Sequence, residues 1–387
     1  MKLNVPAIVG GALGVASAAA AAGLAHERRE VSRERARIDP ESAALFGALP
    51  VDRQSVVIAE DGVSLHVEEV GPVEAGLTVV FVHGFTLNLG AFHFQRLALA
   101  EAFGDRVRMV FYDQRSHGRS ARSTSENCTL AQIGRDLGAV IDTIAPTGPV
   151  LLIGHSMGGM TIMALADQRP ELFRCGPGRA APRGRALSRR DPTLDGRIGA
   201  AVFINTSSGN LKTVTLGLPN FVTRLHGPVL PVVMRRAARN AALIEKGRAL
   251  GKDLAWAITK RLSFAAPDVD PAVVAYATNM IAATPVDVVA AFYHTLMAHD
   301  GTLGLMNLID LDVLIFGAEK DALTPLAHAE AIAAALPAAE LITVADAGHL
   351  LPLEYPDLVN GPIIELVRGI LTASAVPSRF GWRRARA

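Results

Sequence analysis

Eight short apolar runs rich in β-branched residues recur along the chain: Ser55–Glu60, Val63–Val70, Thr78–Val82, Val107–Tyr112, Val150–Ile153, Ala201–Asn205, Asp312–Phe316 and Leu341–Val344. Each is bounded by Gly, Pro or polar residues, as strands are. Between most of them lie stretches with helical periodicity, at Thr129–Ala145, Gly159–Gln168, Leu326–Ala335 and Pro356–Leu371. This alternation predicts an α/β fold class, a mostly parallel twisted sheet with helices on both faces. The first two runs, joined by Asp61-Gly62, predict instead an antiparallel hairpin at the sheet edge.

The alternation breaks twice. Residues 174–197 are crowded with arginine, glycine and proline and predict an exposed, mobile loop, read first as a solvated spacer. From about Leu211 to Gly304 apolar residues recur at helical spacing, as in Pro271–Ala283 and Pro285–Ala298, which predicts a helical cap inserted into the core. The expected organisation is an N-terminal apolar segment and charged linker at 1–50, a first part of the core at 51–210, the cap at 211–304, a second part of the core at 305–372, and a basic tail at 373–387. With 50% hydrophobic and 19% charged residues in 387, such a core can be buried.

Charge narrows the partners. Lys+Arg (38) nearly cancels Asp+Glu (37), which argues against a globally basic nucleic-acid binder. No nucleic acid is therefore expected, and a small hydrophobic molecule is. Cys128 and Cys175 lie far apart with no CxxC or Cys/His spacing, so two free thiols are expected and no metal site. His294 and His299, in the cap stretch, read as core or cap-surface side chains. No dinucleotide fingerprint or P-loop is present, so no cofactor is expected.

The chemistry concentrates in Gly154-His155-Ser156-Met157-Gly158-Gly159, which follows one predicted strand and opens a predicted helix. A G-x-S-x-G turn in that context forces its serine into a strained backbone conformation and presents the hydroxyl at a helix N-terminus, the arrangement of a nucleophile. A serine hydroxyl needs a base to take its proton and a carboxylate to hold that base. His349 follows the last predicted strand in Asp346-Ala347-Gly348-His349, and Asp321 follows the preceding one in Gly317-Ala318-Glu319-Lys320-Asp321. Both fall at strand C-terminal ends, where open α/β sheets place their sites. Glu319 is close enough in sequence to compete with Asp321 for the acid role.

At this point the chain resembles the α/β-hydrolase fold family, in its cap-bearing serine-hydrolase, esterase/lipase-like branch. The resemblance covers roughly residues 51–372. It rests on His83-Gly84-Phe85, Asp113-Gln114-Arg115-Ser116-His117-Gly118-Arg119-Ser120, Gly154–Gly159, Gly317–Asp321 and Gly348-His349, in the family's order. It implies a catalytic Ser156–His349–Asp321 triad and an oxyanion hole built from the backbone N–H groups of Phe85 and Met157. It implies structural roles for His83, His117 and His155, and a turn-anchoring role for Asp113. The expected activity is hydrolysis of a carboxylic ester of a small or medium hydrophobic substrate through an acyl-enzyme. Thioester hydrolysis, C–C bond hydrolysis and cofactor-free perhydrolysis use similar parts. A ligand-binding protein that lost catalysis, and a membrane-tethered interaction module, are the rivals from other classes.

From Val5 to Ala25 the chain carries no charge, and five arginines follow within Arg28–Arg37. The length suits a membrane-spanning helix, and the flanking charge places the catalytic domain on the cytoplasmic side. A cleaved secretory signal and a soluble Ala-rich helix are the alternatives. If Val5–Ala25 anchors the chain, the whole protein sediments with membranes and resists carbonate washing. Recovery in the soluble fraction, or a mature N-terminus near Ala18 in the medium, would overturn the anchor.

Overall fold

A computed structural model describes residues 29–46, 49–173, 196–214 and 252–374. The apolar stretch Val5–Ala25, nearly all of the arginine-rich segment 174–197, Cys175 and the basic tail beyond Ser374 lie outside them.

All eight predicted runs are strands: β1 Arg53–Ile58, β2 Ser64–Val70, β3 Leu77–Val82, β4 Val107–Tyr112, β5 Val150–His155, β6 Ile198–Ile204, β7 Asp312–Ala318 and β8 Glu340–Val344. They form one sheet in the order β1-β2-β4-β3-β5-β6-β7-β8. β1 pairs with β2, and β2 with β4, antiparallel; every other pair is parallel. β3, β4, β5 and β6 are buried along their whole length. That burial is why they read as near-continuous apolar runs rather than alternating ones, Arg108 of β4 being buried only through its pairing with Glu69.

Alternate side chains divide the core between the two faces. On one face Val80, Val110, Leu152, Phe203 and Ile315 meet Leu137, Ile141, Ile162 and Ile332 of helices Leu130–Ile144, Met157–Gln168 and Leu326–Ala335. On the other, Phe81, Phe111, Ile153, Ile204 and Phe316 meet Leu99, Val359, Ile363 and Val367 of helices His93–Phe103 and Pro356–Ser374. The chain runs from β3 to β4 on one side and then crosses back to β5 on the other. Such a reversal opens a crevice at the strand C-terminal ends. Ser156 and the His83-Gly84-Phe85 loop both lie there.

Between β6 and β7 the described residues form helices Lys252–Ser263, Pro271–Ala283 and Val286–Met297. Among the described residues no single helix is long and apolar enough to cross a membrane; the last two of these are apolar enough together but bend by 89°. Thr302–Met306 packs on the core, with Leu305 and Leu308 in its apolar cluster. The chain thus returns to the core from Thr302, slightly earlier than the boundary at 304.

Residues 29–46, within the segment 26–50, depart from the linker expected there. Residues 29–35 and Pro40–Leu45 are helical and dock on the insertion. Two of its apolar side chains pack on the insertion: Val31 is buried with Trp256 and Val274, and the Phe46 ring stacks on Tyr276 at 4.5 Å, while Leu45 is exposed. Two of its charges reach the insertion, with Glu34 accepting from Lys260 Nζ and Trp256 Nε1, and Arg35 pairing with Asp253. The exposed pairs contribute little by themselves, so it is chiefly the buried apolar contacts that dock the segment.

Arg115 joins the β1–β2 turn to the core. Its guanidinium is fully buried, bonded twice to Asp136 at 2.6 and 2.7 Å and to Asp61 at 2.7 and 3.0 Å. Its hydrogen bonds hold the Asp61 carboxyl down at about 2, while burial raises that of Asp136. Arg115→Ala strands the Asp136 carboxylate without a cation, so it should lose about 3–5 kcal/mol of stability, read as a lowered urea midpoint.

Candidate active site

Ser156 stands at the end of β5 with φ 52° and ψ −119°, a conformation non-glycine residues adopt only under constraint. The constraint is visible on both sides of the residue. Its N–H donates to Ile204 O of β6 at 3.0 Å, and its carbonyl accepts from Thr206 Oγ1 at 2.6 Å. Two residues on, a Cβ on Gly158 would lie 1.8 Å from Val82 O, so only glycine lets the helix start this close to β3. The turn predicted from G-x-S-x-G is present as expected.

His349 Nε2 lies 2.9 Å from Ser156 Oγ, and His349 Nδ1 lies 2.8 Å from Asp321 Oδ2. A carboxylate only accepts, so Nδ1 carries the proton and Nε2 is left to accept from the serine hydroxyl. Asp321 is 4% exposed, yet its oxygens are filled: Leu323 N–H and Thr324 N–H donate to Oδ1, and Thr324 Oγ1 donates to Oδ2. Burial pushes its pKa up, and its pairing with His349 together with the Thr324 hydrogen bonds outweighs burial, so the carboxyl sits below its ordinary range. Three residues from three loops are thereby brought into one hydrogen-bonded line. Glu319, the competing acid, is exposed and outside it.

The Phe85 loop is built on His83. His83 Nδ1–H donates to Gly84 O at 2.8 Å and Nε2 accepts from Gln114 N–H at 2.9 Å, while Gln114 Nε2 donates back to His83 O. The Gly84 carbonyl belongs to the same peptide unit as the Phe85 N–H, so the imidazole sets that unit's orientation. Met157 opens its helix, where an N–H has no intrahelical acceptor. Among the described residues neither the Phe85 nor the Met157 N–H has an acceptor.

The remaining motif residues hold loops. Asp113 accepts from Leu89 N–H and Arg119 N–H, both at 2.8 Å. His117 Nδ1–H donates to Arg115 O, and His155 Nε2–H donates to the carbonyl of His349 at 2.9 Å. His299 bonds the Ser207 carbonyl, and His294 lies on helix Val286–Met297; neither joins the line at Ser156. Among the described residues no group of side chains could hold a metal, and Cys128 is a buried free thiol.

Asn205 escaped the sequence reading, which saw only a strand end. Its backbone is left-handed at φ 44°, and its Nδ2 donates to the carbonyls of Gly348 and His349 while its Oδ1 accepts from Ala318 N–H. It ties the His349 loop to β7. The polar run Asn205-Thr206-Ser207 after an apolar strand was its only signal. Apolar side chains complete the surroundings: Phe292, Val288 and Leu296 of helix Val286–Met297 pack with Met157, Met160, Leu211 and Phe85 beside the serine.

Comparison with known proteins identifies the family to which this fold belongs. Residues 79–361 match the profile of the Alpha/beta hydrolase family. The sn-1-specific diacylglycerol lipase ABHD11 of Mus musculus is 35% identical over 94 residues, 24% of this chain and 29% of the lipase. The hydrolase YugF of Bacillus subtilis is 23% identical over 292 residues, 75% of this chain and 90% of YugF. Several curated relatives are thus matched over about a third of their length. A thermophilic esterase from Thermogutta terrifontis superposes with a TM-score of 0.59 at 23% identity, covering 82% of this chain and 98% of that one, which shows the fold. The chain belongs to the α/β-hydrolase family, a family of hydrolases.

Burial lowers the pKa of His83 to about 4 and of His117 and His155 to about 3. In the unfolded chain the same imidazoles protonate near pH 6.5, so below that value the unfolded state binds more protons and stability falls as pH falls. Each contributes a slope of about 1.4 kcal/mol per pH unit down to its folded pKa. Urea midpoints should drop at each step from pH 7 to 6 to 5; an unchanged midpoint would contradict the burial of neutral imidazoles.

Proposed function

We propose that the protein is a serine hydrolase that cleaves a carboxylic ester of a small or medium hydrophobic substrate. The observation that carries this reading is the continuous line Ser156 Oγ–His349 Nε2 and His349 Nδ1–Asp321 Oδ2, both links at hydrogen-bond length. Ser156 Oγ attacks the acyl carbonyl as His349 Nε2 takes its proton. Asp321 keeps the other proton on Nδ1 and stabilises the imidazolium that forms. The N–H groups of Phe85 and Met157 hold the developing oxyanion, a contribution of about 3–4 kcal/mol per donor in comparable sites. His349 then protonates the departing alkoxide, leaving an acyl-serine. Water, deprotonated by the same nitrogen, releases the acid and restores Ser156.

The apolar group around Phe292, Met160 and Leu211 supports a hydrophobic acyl chain, with the insertion as a cap over it. The purified protein should hydrolyse p-nitrophenyl acetate or butyrate. Ser156→Ala and His349→Ala should each lower kcat by roughly 10⁴-fold or more, and the double variant should lose little beyond either alone. Asp321→Asn should fall in the same range through the wrong imidazole tautomer. Full activity in Ser156→Ala would remove the nucleophile assignment. Phe292→Ala should move the preference toward longer acyl chains, read as the ratio of kcat/KM for octanoate and acetate esters.

A further inference from the structure

The loop that carries His349 is bonded not only to the sheet but to the inserted helices. Glu354 closes the short helix Leu351–Glu354, five residues beyond His349. Its carboxylate accepts three backbone N–H groups from two directions. Oε2 takes the Gly348 N–H at 2.6 Å, and Oε1 takes the N–H groups of Ala265 and Ala266, each at 2.6 Å. Ala265 and Ala266 belong to the insertion, just after helix Lys252–Ser263.

Two more contacts close the same seam. Leu350 N–H donates to Ser263 O at 2.8 Å. Gly348 abuts the next residue of the insertion so closely that a Cβ there would lie 2.8 Å from Phe264 Cα, Phe264 C and Ser263 O. The residues immediately before and after His349 are therefore both joined to residues 263–266. From the opposite side, Asn205 and His155 hold the Gly348 and His349 carbonyls. The imidazole sits between two sets of fixed backbone groups, one belonging to the core and one to the insertion.

We propose that Glu354 is a positioning residue for the base: by tying the Gly348 peptide to the 263–266 turn, it makes the His349 loop and the inserted helices one mechanical unit. The inference rests on the reading of Ser156 as nucleophile and His349 as base. Three donors arriving from two directions need two anionic oxygens, because an N–H to carboxylate bond is about twice as strong as a neutral one. A glutamine offers one acceptor and turns its NH₂ toward at least one of those N–H groups. The loop then loses one of its ties, and the Nε2–Oγ distance is no longer set. Reactive geometry tolerates displacements of only about 0.5 Å before rate is lost.

The test compares wild type with Glu354→Gln and with Glu354→Asp, which keeps the charge but draws the carboxylate back by one methylene. Reactive serine is first counted by titration to completion with a fluorophosphonate, and kcat per titrated site and KM are then measured with p-nitrophenyl butyrate. Both variants are expected to lose about fivefold or more in kcat per titrated site, with KM changed by less than about threefold. A purely structural role would reduce the number of titratable sites and leave the rate at each site unchanged. A folded Glu354→Gln protein whose kcat per titrated site stays within about fivefold of wild type overturns the proposal. If Glu354→Gln does not fold, Glu354→Asp decides by the same criterion. If wild type offers no titratable Ser156, or Ser156→Ala keeps the wild-type rate, the serine-hydrolase reading fails instead, and the two failures are separable.

Discussion

The strained turn at Ser156 is the constraint on which the site depends. A non-glycine residue held at φ 52° costs on the order of 1–3 kcal/mol, and it persists only where the surroundings over-determine it. Here they do so through the sheet itself. The Ser156 N–H is taken by Ile204 of β6, its carbonyl by Thr206 just beyond β6, and the helix that follows is pressed against the Val82 carbonyl of β3. The two strands that flank β5 thus fix the serine from either side. Relaxing the turn would require moving a central strand of a sheet covered on both faces.

Such dependence explains what was legible in the sequence. Strands buried on both faces are mostly apolar, so β3 to β7 were visible as runs; Ser156 and Asp321 were visible because each follows one, and His349 because it follows the short run of β8. Helix His93–Phe103 was not visible. It buries Gln95 and Arg96, which break the apolar period: Gln95 donates to Pro352 O and Asn360 Oδ1, and Arg96 pairs with Glu68 and lies over the Phe111 ring at 4.1 Å. Burial of polar residues through such partners leaves no trace in a hydrophobic pattern. Asn205, Thr206 and Glu354 were hidden for a related reason. Each acts on backbone groups of a segment distant in sequence or on the loop that carries His349, and no spacing of residue types records a bond to a main-chain N–H or carbonyl.

The segment before β1 carries the same lesson. Its charge density suggested a solvated linker, whereas Glu34 and Arg35 face Lys260, Trp256 and Asp253, and Val31 and Phe46 enter the apolar cluster of the insertion. The inserted helices are thus gripped on two sides, by this N-terminal segment and by the Glu354 seam at the His349 loop. Composition described the chemistry of the segment correctly but not its partners, which only the fold brings within reach.

The most direct test of the account is where a serine-directed reagent lands. Incubation with a fluorophosphonate, followed by intact mass and peptide mapping, should give a single adduct on Ser156, formed quickly in wild type and slowly in His349→Ala. An adduct on another serine, or equal rates with and without the imidazole, would contradict the claim that the strained turn presents an activated nucleophile.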